Sequence, residues 1–321
     1  MLNVDTELGW CCQALRKGSR ILAIYIAVSY TNPSLRSYMI DLHTHSRASD
    51  GALTPSELIK AAKERGLSAI ALTDHDTIDG LEEARAEAEQ QHIRFIPGIE
   101  IEITYEPVTI NGEFHLLGLG IREPGPGFRE ALADLSRRRE SRNLQILERM
   151  REMGIEAGYE EIRALSGGGS VGRPHFASFL VKRGIVKDRG QAFARYLGKG
   201  RPLYIAKEGL EFTQALRIIR EAGGISVLAH PGSLYIAWGK LPGVITDLVA
   251  QGLAGIEAWH PTAKVRFCKR LEDLGRSLGL YITAGSDFHG ESRPDRKLGV
   301  SAGNRKIDDS FLDSIPPTAP W

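Results

Sequence analysis

From residue 39 onward, short apolar runs that read as strands alternate with stretches whose apolar positions recur at helical spacing. Strands are expected at Met39–His43, Ser68–Thr73, Arg94–Ile103, Glu113–Gly120, Ile225–Ala229, Gly255–Trp259 and Leu280–Ala284. Thr54-Pro55-Ser56-Glu57 supplies a cap, a proline for the first helical position and a glutamate three residues after the cap, so a helix should run from there to Arg65 and stop at Gly66. A second helix is expected over Gly80–Gln91. Asn111-Gly112 lies between two alternating runs and predicts an antiparallel hairpin.

The pattern becomes purely helical between residues 123 and 211. Helices are expected over Phe128–Met153, with Leu132, Leu135, Leu144, Leu147 and Met150 at helical spacing, then over Tyr159–Leu165, Pro174–Arg183 and Arg189–Leu197. The domain reading is an α/β, barrel-like body (39–122 and 212–302) interrupted by a helical insertion (123–211) and followed by a tail (303–321). Ser166-Gly167-Gly168-Gly169-Ser170 lacks the Lys-Ser/Thr ending of a phosphate loop and is expected to be a flexible connector.

Residues 1–38 stand apart. Ile21–Val28 is a short apolar run behind Lys17 and Arg20, open to three readings: a signal peptide, an extra packed strand, or an upstream start ahead of a natural start at Met39. The last is preferred, because Met39-Ile40-Asp41-Leu42-His43 already reads as a first strand.

Composition narrows the field only slightly. With 321 residues and 42% hydrophobic positions, the chain can bury a large core. Lys plus Arg (41) balance Asp plus Glu (40), so no global field draws it to nucleic acid or acidic membranes, and any anionic substrate must be attracted locally. Three cysteines (Cys11, Cys12, Cys268) without CxxC spacing fit a reducing cytosol, no apolar run reaches the length of a membrane span, and no obligate protein partner is evident.

The chemistry lies at the strand ends. His43, His45, Asp50, His75, Glu100, His115, His230, Asp287 and His289 are residues of metal-binding type, and most follow an apolar run within a residue or two. Imidazole with carboxylate suits zinc, manganese or iron, and nine donors exceed what one ion uses, so two or three divalent ions are expected. The spacing of two between His43 and His45 puts both on one face of a strand.

Asp41-Leu42-His43-Thr44-His45-Ser46 with Ser49-Asp50-Gly51, Thr73-Asp74-His75-Asp76, Pro97-Gly98-Ile99-Glu100, His115-Leu116-Leu117-Gly118, Ala229-His230-Pro231 and Gly285-Ser286-Asp287-Phe288-His289 resemble, in order, the motifs of the polymerase and histidinol phosphatase (PHP) family over residues 39–302. Gly172-Arg173-Pro174-His175-Phe176-Ala177 and Tyr196-Leu197-Gly198-Lys199-Gly200-Arg201-Pro202 resemble the branch of 3',5'-nucleoside bisphosphate phosphatases and 5'-to-3' exonucleases of short RNA.

The resemblance implies a distorted seven-stranded β/α barrel with metals at the C-terminal strand ends, covered by the helical insertion. It also implies hydrolysis of nucleotide phosphate esters by metal-activated hydroxide. His43, His45 and Glu100 would hold one ion, with Glu100, and Asp287 as a second candidate, bridging to the others. Asp50, Asp74 and His230 are the catalytic candidates; Asp74 can instead orient a ligand or hold the fold around it. Arg173, His175, Lys199 and Arg201 are the candidates for binding substrate, a nucleotide or a short RNA. Arg139 and Arg142 are a further pair that a helix of the insertion can turn toward a nucleotide, and His260 is a residue that lines the pocket. The alternatives are a histidinol-phosphatase-like enzyme and a non-catalytic metal-binding member of the family.

Overall fold

The computed structural model describes residues 38–107 and 112–313. The expectations for residues 1–37, for the hairpin tip at Asn111 and for residues 314–321 lie outside them. All seven expected strands form, as β1 (Met39–Asp41), β2 (Leu67–Leu72), β3 (Arg94–Thr104), β4 (His115–Leu119), β6 (Ile225–Leu228), β7 (Gly255–Trp259) and β8 (Tyr281–Ala284). They make one curled sheet in that order, parallel at both ends and antiparallel around β4. The sequence pattern missed the two-residue β5 (Leu210–Glu211), which pairs with β3 through Ile103 and Leu210. Two residues are too few to show a period.

The two edges of the sheet approach each other just past β1 and β8. Thr44 and Phe288 form an isolated parallel bridge, with Asp287 N–H donating to His43 O and His45 N–H donating to Phe288 O, each at 2.9 Å. Asp41, fully buried, accepts from the N–H groups of Ser286 (2.9 Å) and Gly299 (2.8 Å) and fastens the same seam.

Helices α1 (Pro55–Glu64) and α2 (Leu81–Gln91) cover one stretch of sheet, with Leu58, Ile59, Ala62 and Ala84 packed on Ile70 and Leu72. The predicted capping box closes α1: Thr54 Oγ1 accepts from Glu57 N–H, and Glu57 accepts from Thr54 N–H. Helices α3 (Pro126–Glu152), α4 (Tyr159–Ala164), α5 (Arg173–Lys182) and α6 (Arg189–Ala192), with a π-helical turn over Phe193–Leu197, lie between β4 and β5. They share an apolar cluster that includes Ile146, Met150, Phe176, Phe179, Leu180 and Leu197. Burying each such side chain stabilises the fold by about 1.5–3 kcal/mol.

The glycine-rich segment between α4 and α5 is not a loose connector. A Cβ on Gly169 would sit 2.0 Å from Arg47 O and one on Gly167 2.7 Å from Arg47 Cδ. Ser170 N–H also donates to Ala48 O (3.3 Å). Gly167 and Gly169 allow this close approach, which ties the helices to the loop that carries Asp50.

After β5 come α7 (Phe212–Glu221), α8 (Leu241–Ala250) and α9 (Val265–Ser277), which pack on β6, β7 and β8 in the largest core cluster. The hairpin of β9 (Val300–Ser301) and β10 (Arg305–Lys306) and the short α10 (Ser310–Asp313) follow. The first part of the expected tail packs on the body: Ile307 and Phe311 are buried, and Ile40 N–H donates to Ile307 O at 2.9 Å. No helix among the described residues is long and apolar enough to cross a membrane.

Candidate metal centre

Extension of the strands past their regular ends places the donors. Beyond β2, His75 bridges Glu100 within β3, with Asp76 N–H donating to Glu100 O (2.8 Å) and Glu100 N–H to Asp74 O (3.1 Å). Glu100 is thereby fixed at the centre of the cluster. Its Oε1 lies 2.8 Å from His115 Nδ1 and 2.8 Å from His230 Nε2, and its Oε2 lies 3.0 Å from His75 Nδ1, 3.2 Å from His45 Nε2 and 3.3 Å from His43 Nε2. One carboxylate faces five imidazoles.

Asp287 Oδ1 is 3.3 Å from His45 Nε2 and 3.3 Å from His289 Nδ1, while Asp50 Oδ1 is 3.2 Å from His289 Nε2. All nine predicted ligands therefore converge. Four overlapping groups have donor atoms within 4.8 Å of one another: His45, Asp50, His75 and His289; His43, Glu100 and His230; His43, His45 and Asp287; His75, Glu100 and His115.

The surroundings decide which ring nitrogens face inward. His43 Nδ1 is 3.0 Å from Glu257 Oε1; a carboxylate only accepts, so Nδ1 carries the proton and Nε2 presents its lone pair to the cluster. His115 Nε2 donates in the same way to Glu102 (2.8 Å), leaving Nδ1 inward, and His289 Nδ1 donates to Asp287 O (2.8 Å), leaving Nε2 inward. Ser233 Oγ donates to Glu113 O (2.9 Å) and so accepts from His230 Nδ1 (2.7 Å), again leaving Nε2 inward.

Four lone pairs aimed at one region repel unless something positive lies among them. Glu100 Oε2, Asp50 Oδ1 and His289 Nε2 are buried with no hydrogen-bond partner. The donor set thus fits divalent cations that accept mixed nitrogen and oxygen ligands. Electrostatics agree. Burial opposes ionisation of Glu100, Asp50 and Asp287, yet the surrounding imidazoles hold all three well below the usual carboxylate range. Against the same desolvation, the carboxylates push His43 and His115 well up and His45 to about 9. The buried carboxylates are held ionised and draw positive charge, which imidazole protons supply here and divalent cations would supply in their place, leaving the imidazole lone pairs free to bind them.

Supporting groups missed in the sequence complete the centre. Glu257 on β7 holds His43 and also accepts from His230 N–H (2.7 Å). Arg296, buried, donates to Asp287 Oδ2 (2.7 Å) and to His260 Nε2 (3.0 Å). Glu102 is shared between His115 and Lys207 Nζ (2.5 Å). Desolvation works against its charge, but Lys207 and His115 hold it ionised.

Asp74 accepts from Ser46 N–H (2.8 Å), Ser46 Oγ (2.6 Å) and Ser49 Oγ (2.5 Å), so it fixes the loop bearing His45 and Asp50. None of its hydrogen bonds goes to a ligand imidazole; its contacts are those of a residue that holds this loop.

A cleft opens on the Asp50 and His75 side of the cluster, lined by Arg139, Arg142, Arg173, Lys207 and Arg293. Arg139 pairs with Asp76 and Arg173 with Glu113 (3.3 Å). Arg142 is buried with Nε unpartnered, and its guanidinium reaches only Asn143 Oδ1 (3.2 Å) among the described residues. Burial, helped by Arg139 and Arg173, brings its pKa down to about 10, so it stays charged at neutral pH.

The other expected substrate contacts lie elsewhere. His175 Nδ1 accepts from Gly172 N–H (2.9 Å) and caps α5, and it does not line the cleft. Lys199 and Arg201 are exposed in the turn after the π-helical segment and are not among the residues that line the cleft. The Gly198–Pro202 motif is explained by backbone packing: a Cβ on Gly198 would meet Phe193 O at 2.7 Å.

The PHP domain model matches residues 41–201. The chain belongs to the PHP family. It is 36% identical over 268 residues, 81% of this chain and 90% of the relative, to a 3',5'-nucleoside bisphosphate phosphatase of Chromobacterium violaceum. It is 35% identical over 249 residues, 78% of this chain and 89% of the relative, to a 5'-3' exoribonuclease of Haemophilus influenzae. Among solved structures, an amidohydrolase from C. violaceum with bound sulfate and no metal superposes with a TM-score of 0.75 at 32% identity, covering 86% of this chain and 96% of that one.

Proposed function

We propose that this PHP protein is a metal-dependent phosphoesterase that hydrolyses nucleotides carrying a phosphate besides the one cleaved. The candidates are a 3',5'-nucleoside bisphosphate and the 5' end of a short RNA. One observation carries the reading: a cluster of nine nitrogen and oxygen donors around Glu100 opens directly into a cleft walled by five cationic side chains. A buried arginine without a carboxylate partner, Arg142, needs an anion, and the phosphate group supplies one.

Two or three divalent ions, manganese, zinc or iron, would be held by His43, His45, Asp50, His75, Glu100, His115, His230, Asp287 and His289. When bound, they supply Lewis-acid charge and lower the pKa of water toward neutrality. The protein's own part is positional. Glu100 keeps five imidazoles in register, Glu257 and Arg296 fix His43 and Asp287, and Asp50 and His75 face the cleft where the scissile phosphate enters. Arg142, Arg173 and Lys207 receive the phosphate that is not cleaved. Arg173 must exchange its contact with Glu113, and Lys207 its contact with Glu102, so their charges are held in place before substrate arrives. The sparse cysteines fit a cytosolic setting.

The test is parallel hydrolysis of adenosine 3',5'-bisphosphate, histidinol phosphate and a 5'-phosphorylated RNA oligomer by the manganese-loaded protein. Turnover of either nucleotide substrate well above histidinol phosphate is expected. Preference for histidinol phosphate would overturn the nucleotide assignment, and no turnover on any of the three would leave a metal-binding protein without catalysis.

A further inference from the structure

A second cleft adjoins the cationic one, and Glu113 and Arg293 line both. Its inner end is made by His230 and Asp287 of the cluster, so it communicates with the reacting centre. Its outer wall differs in kind, being built from Tyr235, Ile236 and Phe267 with Lys264 beside them.

Tyr235 is the least usual of these. Its side chain is 75% exposed, and its backbone has φ of +52°, in the left-handed region that is uncommon for a bulky residue. The conformation is held by close packing: a Cβ on Gly112 would lie 1.7 Å from Ser233 O and 2.5 Å from Tyr235 Cδ2. Glu113 N–H also donates to Ser233 O at 3.1 Å. The tyrosine side chain thus stands at the mouth of the cleft, largely open to solvent. Behind it, Phe267 and Trp238 meet edge to face (centroids 5.6 Å apart), and Arg270 lies 3.8 Å from the centre of the Trp238 ring. Aromatic side chains interleaved with cations suit the flat, polarisable base of a nucleotide.

We propose that this second cleft is a nucleobase subsite, in which the base stacks on Tyr235 against the Ile236 and Phe267 wall. The inference rests on the phosphoesterase reading above and adds the direction in which the nucleotide lies. Scissile phosphate sits at the cluster, the other phosphate in the cationic cleft, and the base on the opposite side.

The test compares adenosine 3',5'-bisphosphate with its base-free analogue, the same sugar and two phosphates with hydrogen at C1'. In Tyr235→Ala the ratio of the two specificity constants, base-bearing over base-free, should fall roughly ten-fold, and Tyr235→Phe should restore it. As a readout independent of turnover, adenosine 5'-monophosphate binding to the protein in chelator, followed by calorimetry, should weaken in Tyr235→Ala and recover in Tyr235→Phe. An unchanged ratio together with unchanged binding would overturn the subsite. If the wild-type protein hydrolyses neither compound while binding still depends on Tyr235, the phosphoesterase reading fails and the subsite stands.

Discussion

His43 Nδ1 and Glu257 Oε1 lie 3.0 Å apart, both fully buried, and this contact decides which nitrogen of His43 faces the metal cluster. Glu257→Gln keeps the shape, but an amide oxygen is a weaker acceptor and its NH2 group cannot accept from His230 N–H. The expected result is a ten- to hundred-fold loss of metal affinity, the usual effect of removing such a supporting carboxylate. Calorimetric titration of manganese into the chelated variant measures it. Wild-type affinity would show that His43 is held by its neighbours alone.

Gly285 makes that contact possible. A Cβ there would stand 2.2 Å from His43 Cβ and 2.6 Å from Glu257 Oε1, with no room for either to retreat in a closed seam between β1 and β8. Gly285→Ala should therefore destabilise the fold by about 1–3 kcal/mol, as overpacking of a tight interior does, and weaken metal binding in the same variant. Thermal unfolding in chelator separates the two effects, since an unchanged midpoint would mean that the seam yields freely.

The sequence disclosed the ligands better than their supports, for a physical reason. Ligands such as His43, His45, His230 and Asp287 follow apolar runs closely, where a polar residue breaks the pattern at the strand ends. Glu257 lies inside Gly255–Trp259, a run that reads as plain buried strand, and its one signal was a carboxylate among apolar neighbours. Arg296 and Lys207 come from irregular segments, and only the folding of the chain carries them to Asp287 and Glu102. For Lys199 and Arg201, a motif was legible, and what the structure explains of it is the close packing of Gly198 on Phe193 O. The seven strands were readable because each is a mostly apolar stretch, whereas β5 is too short to read.

Metal binding should also be visible as stability. A ligand that binds only the folded state at one hundred times its dissociation constant stabilises it by about 2.7 kcal/mol, which in a domain of this size raises the midpoint by roughly 4–5 °C per site. Manganese added to chelated protein should produce a shift of that order. In His43→Ala/His45→Ala the shift should shrink, and elemental analysis should show at least one ion fewer per chain. Full metal stoichiometry with wild-type turnover in this variant would refute the ligand assignment.

The role of Arg173 gives the sharpest test of substrate class. Its side chain is 13% exposed, lines the cationic cleft together with Asp50 and His75, and is held by Glu113 at 3.3 Å. It can give a phosphate two parallel hydrogen bonds, a geometry lysine does not reproduce. A contact with the phosphate that is not cleaved matters only for substrates that have one. Arg173→Ala should cost about 1.5–3 kcal/mol in the specificity constant for adenosine 3',5'-bisphosphate, one to two orders of magnitude, while p-nitrophenyl phosphate is hydrolysed nearly as before. Arg173→Lys should recover part of the loss, because charge returns without the fork. Equal losses on both substrates would place Arg173 on the reacting phosphate, and the requirement for a second phosphate would then have to rest on Arg142 and Lys207.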